Sequence, residues 1–206
     1  MRNLLFAASA LALVLPATAD QTLEGAATGL YELEKSHAFL TWTVGHGGGL
    51  SGYTVNFTDF DAVIDFNPED PETSSIEVSI NPMALQTNYP DPVEKVEWET
   101  KLSTGDQFFK ANEFPTITFV STGATLTDEF EGEVTGDLTF LGQTKPVTLE
   151  VTYNGTGNAP WFGQRDLIGF DATATIMRSE FGMTSMIPNI SDEVVIEFSG
   201  EFLQAE

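Results

Sequence analysis

Apolar and polar residues alternate with period two along most of the chain. From Glu193 to Phe202, Val194, Ile196, Phe198 and Phe202 fall on one face, and Glu193, Glu197, Ser199 and Glu201 on the other. From Phe130 to Phe140, Phe130, Gly132, Val134, Gly136, Leu138 and Phe140 oppose Glu131, Glu133, Thr135 and Asp137. Val147, Leu149, Val151 and Tyr153 share a face further on, as do Ile76, Val78 and Ile80 earlier. Period two with one charged face predicts strands buried on one side and wet on the other.

The pattern predicts about eight strands, near residues 31–46 (bent), 52–58, 60–66, 74–81, 115–123, 129–140, 145–154, 166–177 and 193–203. The second and third of these ranges read as one bulged strand, because Val55 and Phe57 are odd while Phe60, Ala62, Ile64 and Phe66 are even. Gly142-Gln143 and the cluster Asn67-Pro68-Glu69-Asp70-Pro71 mark turns. One segment breaks the pattern. Asp91-Pro92-Val93-Glu94 supplies an N-cap, a first-turn Pro and an acid three residues on, so a helix is expected to about Leu102. A second short helical turn is expected around Asp106-Gln107-Phe108-Phe109. No repeat or linker interrupts the chain. The reading is one all-β domain with a helical insertion, whose sheet closes as a barrel or folds as a sandwich to protect its edges.

The N-terminus does not belong to that pattern. Arg2, the apolar run Leu4 to Leu15 and the ending Ala17-Thr18-Ala19 describe a secretory signal peptide over residues 1–19, cleaved before Asp20. The run is about twelve residues, where a span takes about twenty, so no stable membrane anchor is expected. No Cys follows for lipid attachment. Residues 20–29 read as a flexible leader and 30–206 as the domain. The protein is therefore expected in the periplasm.

Charge and composition narrow the chemistry. Eight Lys and Arg against 31 Asp and Glu give a net charge of -23, which repels nucleic acid and anionic membrane surfaces. Cysteine is absent and only two histidines occur, so thiol catalysis, Cys-bound metals and His-rich sites are excluded. Phe supplies 16 of the aromatic residues against three Trp and four Tyr, so most ring surface carries no polar group. Such rings suit a filled core and an apolar cavity equally well.

Local motifs add little chemistry. Gly47-Gly48-Gly49-Leu50-Ser51-Gly52 has dinucleotide-loop spacing, but Tyr53-Thr54-Val55-Asn56-Phe57 behind it is strand, not helix, so it reads as a connection. His37 and His46 lie roughly 30 Å apart on an extended chain at ~3.3 Å per residue and have opposite parity. His46 shares parity with Leu40, Trp42 and Val44; it reads as a hydrogen-bonded rim residue, with fixing of a ligand's polar end as the alternative. Arg178 continues the inward face of Phe170, Ala172, Ala174 and Ile176. An inward Arg calls for an acidic partner, Glu180 or Asp192, with contact to an anionic headgroup as the alternative. No catalytic constellation, metal site or cofactor motif is present in the sequence.

Several stretches resemble the YceI-like family. The opening strand His37-Ala38-Phe39-Leu40-Thr41-Trp42-Thr43-Val44-Gly45-His46 is similar to its H-S-x-x-x-F-x-V-x-H, and Phe60 to Phe66 fits its next strand. Leu102 to Phe109 and Phe114 to Thr122 look like its L-x-S-x-D-F-F and P-x-I-x-F-x-S stretch. Gly136 to Val147 matches its G-x-L-T-x-x-G-x-T-K-P-V hairpin, and Arg178-Ser179-Glu180-Phe181-Gly182 its closing signature. The resemblance runs in order from about residue 31 to 203. It departs at Lys101, where the family often has a histidine, and at 81–99, which is longer and more acidic.

The resemblance implies an extended lipocalin-like antiparallel β-barrel, usually periplasmic, with an apolar pore for polyisoprenoid or similar long-chain amphiphiles. Leu40, Trp42, Val44, Ile64, Phe66, Phe119, Phe140 and Phe170 are then the expected lining, with Phe108 and Phe109 as a lid and His46 and Arg178 as polar groups. The expected function is a non-enzymatic carrier, store or sequestering protein for such a lipid. The alternative is an accessory enzyme or electron-transfer partner acting on a quinone or prenyl lipid in the same pore. A homodimer stays open.

Overall fold

The phase of the alternation changes inside the first strand, and the strand bends there. In the computed structural model, which describes residues 23, 25–163 and 165–206, β1 (Gly29–His46) buries Tyr31 and Leu33 at odd positions. It then buries Leu40, Trp42 and Val44 at even ones, and its register with the last strand shifts between Leu33 and Ala38. The exposed residues of this bulge include Lys35, Ser36 and His37. The expected signal peptide, with residues 20–22 and 24 of the leader, lies outside the described residues.

The next two strands, β2 (Ser51–Phe57) and β3 (Phe60–Phe66), are one strand broken at Thr58-Asp59, as the parity change predicts. Both run antiparallel to β1: β2 pairs its C-terminal half (Leu40 with Phe57, His46 with Ser51) and β3 its start (Gly29 with Phe66). After them come β4 (Ser75–Ile80), the two-residue β5 (Leu85–Gln86), α1 (Pro92–Thr104), β6 (Ile117–Leu126), β7 (Glu131–Phe140), β8 (Gln143–Gly157), β9 (Leu167–Met177) and β10 (Ile190–Gln204). The order is β10-β9-β8-β7-β6-β4-β3-β1-β2-β5, and β10 also pairs with β1. Eight strands thus close into an antiparallel barrel, and closure removes the edges that an open sheet exposes.

Two local rules set the sharpest joins. Phe140 pairs with Gln143 across the two-residue turn Leu141-Gly142, where both φ angles are positive (48° and 72°). That hairpin geometry favours glycine, and a Cβ at Gly142 would also lie 2.8 Å from the Phe114 ring. Asp91 caps α1 by accepting from the Val93 and Glu94 amides at 2.9 and 3.0 Å, Pro92 takes the first turn, and the Gly105 amide closes on the Lys101 carbonyl at 3.0 Å.

The 81–99 stretch holds β5, which the alternation does not announce because it is two residues long. The turn expected as helix at 106–109 is not helical: Phe108 bonds back to Gly105, and Phe109 to Leu102. Gly105 breaks the helix there, so the chain folds under α1 and not along it. Pairing of β3 with β4 starts at Phe60 and Ile80, so β2 rises beyond that point with only β1 and β5 beside it. Across this end, α1 and the turn behind it pack on the barrel. No helix among the described residues is long and apolar enough to cross a membrane.

Candidate ligand-binding cavities

Inward side chains do not fill the barrel; they surround two cavities, one toward each end. The upper cavity, about 310 Å³, lies under α1. β1 lines it with Leu40, Trp42, Val44 and His46, β7 with Leu138 and Phe140, β9 with Ile176, and the helical insertion with Trp98, Leu102, Phe108 and Phe109. Its aromatic roof is tightly coupled. The Phe109 ring lies 5.7 Å from Trp42, 5.6 Å from Phe57 and 5.6 Å from Phe140, and Trp98 packs edge-on to Phe108 at 5.8 Å.

Polar contacts fix α1 over this cavity. The Trp98 indole nitrogen donates to the Tyr53 hydroxyl at 2.7 Å. Glu99 Oε1 accepts from the Thr87 amide at 2.6 Å and from its hydroxyl at 3.0 Å. Lys101, the departure from the family pattern, sets its ammonium 5.5 Å from the Trp98 ring, a cation–π contact on the outer side. Trp42 differs from Trp98: its Nε1 is buried and has no hydrogen-bond partner.

Arg178 also lines the upper cavity, at the start of a short 3-10 turn (Arg178–Phe181) and not in the strand. Neither expected salt bridge forms. The guanidinium donates to three backbone carbonyls instead: Nε to Ser191 at 2.8 Å, and its two terminal nitrogens to Met183 and Ile190 at 3.1 Å each. The Asp192 carboxylate accepts from the Ser179 amide at 2.8 Å and hydroxyl at 2.7 Å. Burial pulls the Arg178 pKa down, and the charge of Asp192 opposes that shift. Carbonyls win because Met183 and the first two residues of β10, Ile190 and Ser191, present three that match the guanidinium fork. His46 sits exposed at the rim of the same cavity.

The lower cavity, about 130 Å³, takes Ile64, Phe66 and Phe170 from the expected lining. Tyr153, Phe130, Phe198, Phe202 and Leu23 also line it, and Glu72, Glu129 and Glu131 are among its polar residues. Tyr153 stacks on Phe66 at 5.8 Å and meets Phe170 at 5.3 Å; burial pushes its pKa up to about 12. The segment read as a flexible leader is bound here: Leu23 lines the cavity, the Ala27 amide donates to Asp166, and its carbonyl accepts from the Tyr31 hydroxyl at 2.8 Å.

Eight expected residues therefore meet in the upper cavity and three in the lower one, while Phe119 lines neither. Tyr53, Phe57, Trp98 and Leu102 were not among the expected lining. The odd parity of Tyr53, Val55 and Phe57 and the i, i+4 spacing of Trp98 and Leu102 are the signals that mark them. A wider depression of about 720 Å³ on the outer wall combines the carboxylates of Glu131, Glu133, Glu150, Asp171 and Glu197 with apolar groups that include the exposed Phe39. No group of three metal-ligating side chains occurs among the described residues.

Solved structures share this architecture. Burkholderia cenocepacia BcnA superposes with a TM-score of 0.69 at 21% identity, over 84% of this chain and 99% of that one. A Campylobacter jejuni YCEI protein that crystallizes with large solvent channels gives 0.64 at 29% identity, over 76% and 88%. Among relatives by sequence, a UPF0312 protein of Pseudomonas putida (strain GB-1) is 37% identical over 155 residues, 74% of this chain and 76% of the relative. One from Pseudomonas fluorescens (strain SBW25) is 36% identical over 173 residues, 83% and 84% of the two chains. Residues 31–202, almost the whole closed barrel, match the YceI-like domain, and the chain belongs to that family.

Proposed function

We propose that the protein binds the apolar tail of a long-chain amphiphile, of polyisoprenoid or similar type, in the upper cavity, and serves as a carrier or store in the periplasm. The observation that carries this reading is the 310 Å³ space walled mainly by aromatic and aliphatic side chains, with His46 exposed at its rim and the buried Arg178 guanidinium already held by backbone carbonyls. That volume is at the low end of the ~300–1,000 Å³ common for ligand pockets. Burying about ten methylenes contributes roughly 8 kcal/mol before entropy costs, enough for binding without any reaction. The pattern of residues 1–19 supports export, and the net charge of -23 supports release from anionic membrane surfaces.

Native mass spectrometry of protein purified from the exporting cells tests this reading, with a Phe140→Asp variant beside it. The expected result is a lipid adduct on the natural protein that is lost in a folded Phe140→Asp variant, since a carboxylate in an apolar cavity is strongly disfavoured. A folded variant that keeps the adduct places the ligand elsewhere and overturns the proposal.

A further inference from the structure

The glycine run behind β1 lies in a part of the chain that carries no charge. In a chain that is 19% charged, residues 38–58, 78–90 and 181–191 contain no Asp, Glu, Lys or Arg. The fold gathers these stretches around the upper end of the barrel, where each contributes residues to the cavity lining. The Gly48 amide donates to the Asn189 carbonyl at 3.2 Å, the Thr58 amide to the Ala84 carbonyl at 2.8 Å, and Asn56 pairs with Gln86. Gly47, Gly48 and Gly49 turn the chain with φ of 63°, 72° and 95°, a left-handed path that other residues rarely follow. Leu50 carries the only side chain of that turn beyond the glycines, and it is 90% exposed. Met186 and Ile187, from the segment bonded to the turn, also stand exposed, as does Tyr89. Met186, Tyr89 and the rim residue His46 at the same time line the upper cavity, so the uncharged apolar end is continuous with its mouth. Single exposed apolar residues are ordinary, whereas a cluster of them around an opening marks an interaction site.

We propose that this charge-free end seats on the surface of an uncharged, zwitterionic lipid bilayer, with Leu50, Met186 and Ile187 entering the headgroup region and the cavity mouth facing the lipid. This deepens the reading of the upper cavity as a tail site and rests on it. Charge selects the partner. A basic or acidic protein finds nothing to pair with at this end, and the net charge of -23 carried by the rest of the molecule repels an anionic surface. Continuity with the cavity points the same way. A long apolar tail is held in a bilayer before it is held by a protein, and a mouth seated on the bilayer lets the tail pass between them without exposing its methylenes to water. The seat is shallow and reversible, because it is made of a few side chains on turns and not of an amphipathic helix.

Cosedimentation with phosphatidylcholine vesicles tests the seat, and titration with geraniol, a short prenyl alcohol, tests the cavity separately. Geraniol is read by tryptophan fluorescence, since Trp42 and Trp98 line the upper cavity. The natural protein is expected to bind the vesicles, and Leu50→Glu to weaken that binding at least tenfold. Ile187→Glu weakens it in the same direction. Neither residue lines the cavity, so geraniol binding stays unchanged in both variants. Val120→Glu, a change at an exposed apolar residue of the barrel wall, leaves vesicle binding intact. Replacing about a third of the lipid by phosphatidylglycerol lowers binding, and ~0.5 M salt restores it by screening the acidic wall. Geraniol binding without any vesicle binding overturns the seat and keeps the tail site. No response to geraniol overturns the tail site and, with it, the seat that rests on it. An equal loss in Val120→Glu, or tighter binding to the anionic vesicles, overturns the placement of the seat or the choice of lipid. A natural protein that sediments as a dimer and becomes a monomer in Leu50→Glu gives this end to a second copy of the chain and overturns the proposal.

Discussion

The Trp98 indole nitrogen donates to the Tyr53 hydroxyl at 2.7 Å, and this bond ties α1 to β2 above the upper cavity. Tyr53→Phe removes the acceptor and strands a partly buried donor. The expected cost is about 1–2 kcal/mol, or roughly 2–8 °C in Tm for a chain of this size. Hydrogen exchange should quicken in α1 and not in β7, because only the helix loses its tether. Equal quickening in both elements contradicts the tether.

Trp42 gives the opposite expectation. Its Nε1 donates to nothing, so Trp42→Phe loses volume but no hydrogen bond. Removing an unpaired buried donor offsets part of the packing loss, and the net change should stay within about 1 kcal/mol. A thermal melt of the ligand-free variant checks this. A fall several times larger means that the indole N–H is engaged by a neighbouring ring face.

Arg178→Gln should be among the most damaging single changes. A glutamine reaches at most two of the three carbonyls now held by the guanidinium, and each buried orphan costs about 1–3 kcal/mol. A loss of about 3 kcal/mol corresponds to roughly 6–12 °C in Tm. If instead Tm holds while selectivity for anionic over neutral amphiphiles drops, the guanidinium serves the ligand and not the backbone.

A weaker, pH-dependent contribution lies at the bulge in β1. The Glu34 carboxylate accepts from the Ser36 hydroxyl and pairs with the His37 ring. The hydrogen bond to Glu34 holds the His37 pKa above its ordinary value, more than solvent loss lowers it. For Glu34, desolvation pushes upward, but the bonds from Ser36 and His37 outweigh it and hold its pKa low. The His37 contribution is complete below its unfolded pKa of about 6.5 and disappears as pH rises through the raised folded value. That of Glu34 is present above its unfolded pKa and is lost as pH falls through the lowered one. The Tm difference between the natural protein and His37→Asn should therefore be largest between the ordinary carboxylate and imidazole pKa values of about 4.3 and 6.5, and shrink as pH rises through the raised His37 value. A difference that is flat over that range would falsify the pairing.

Much of the barrel was legible because its information is local. The alternation in β7 and β10, the parity change between Phe57 and Phe60, and Asp91-Pro92 before α1 each need only neighbouring residues. The division of the interior into two cavities was not legible. Which inward residues share a cavity depends on how the strands stagger against one another, which no single strand encodes. The same holds for Arg178. Its three carbonyl partners are backbone groups of Met183 and of the start of β10, and carbonyls leave no mark on side-chain patterns, whereas Glu180 and Asp192 do. Trp42 falls on an inward face, as its parity predicts, but its unpaired nitrogen leaves no mark in the sequence.

The pairing of β1 with β10 sets the order in which the molecule can assemble. Tyr31 lies opposite Gln204, so the first strand of the ring finds its second neighbour only when the last strand has been delivered. The hairpins from β6 to β10 join consecutive strands and need only short loops to close, but the seam needs nearly the whole chain to loop back. Such distant pairing is entropically costly and slow, so ring closure belongs to the end of folding. Until then both seam strands carry unpaired amides and carbonyls, the period when the chain is most prone to join another copy of itself. A chain that ends before β10 would keep that seam open permanently.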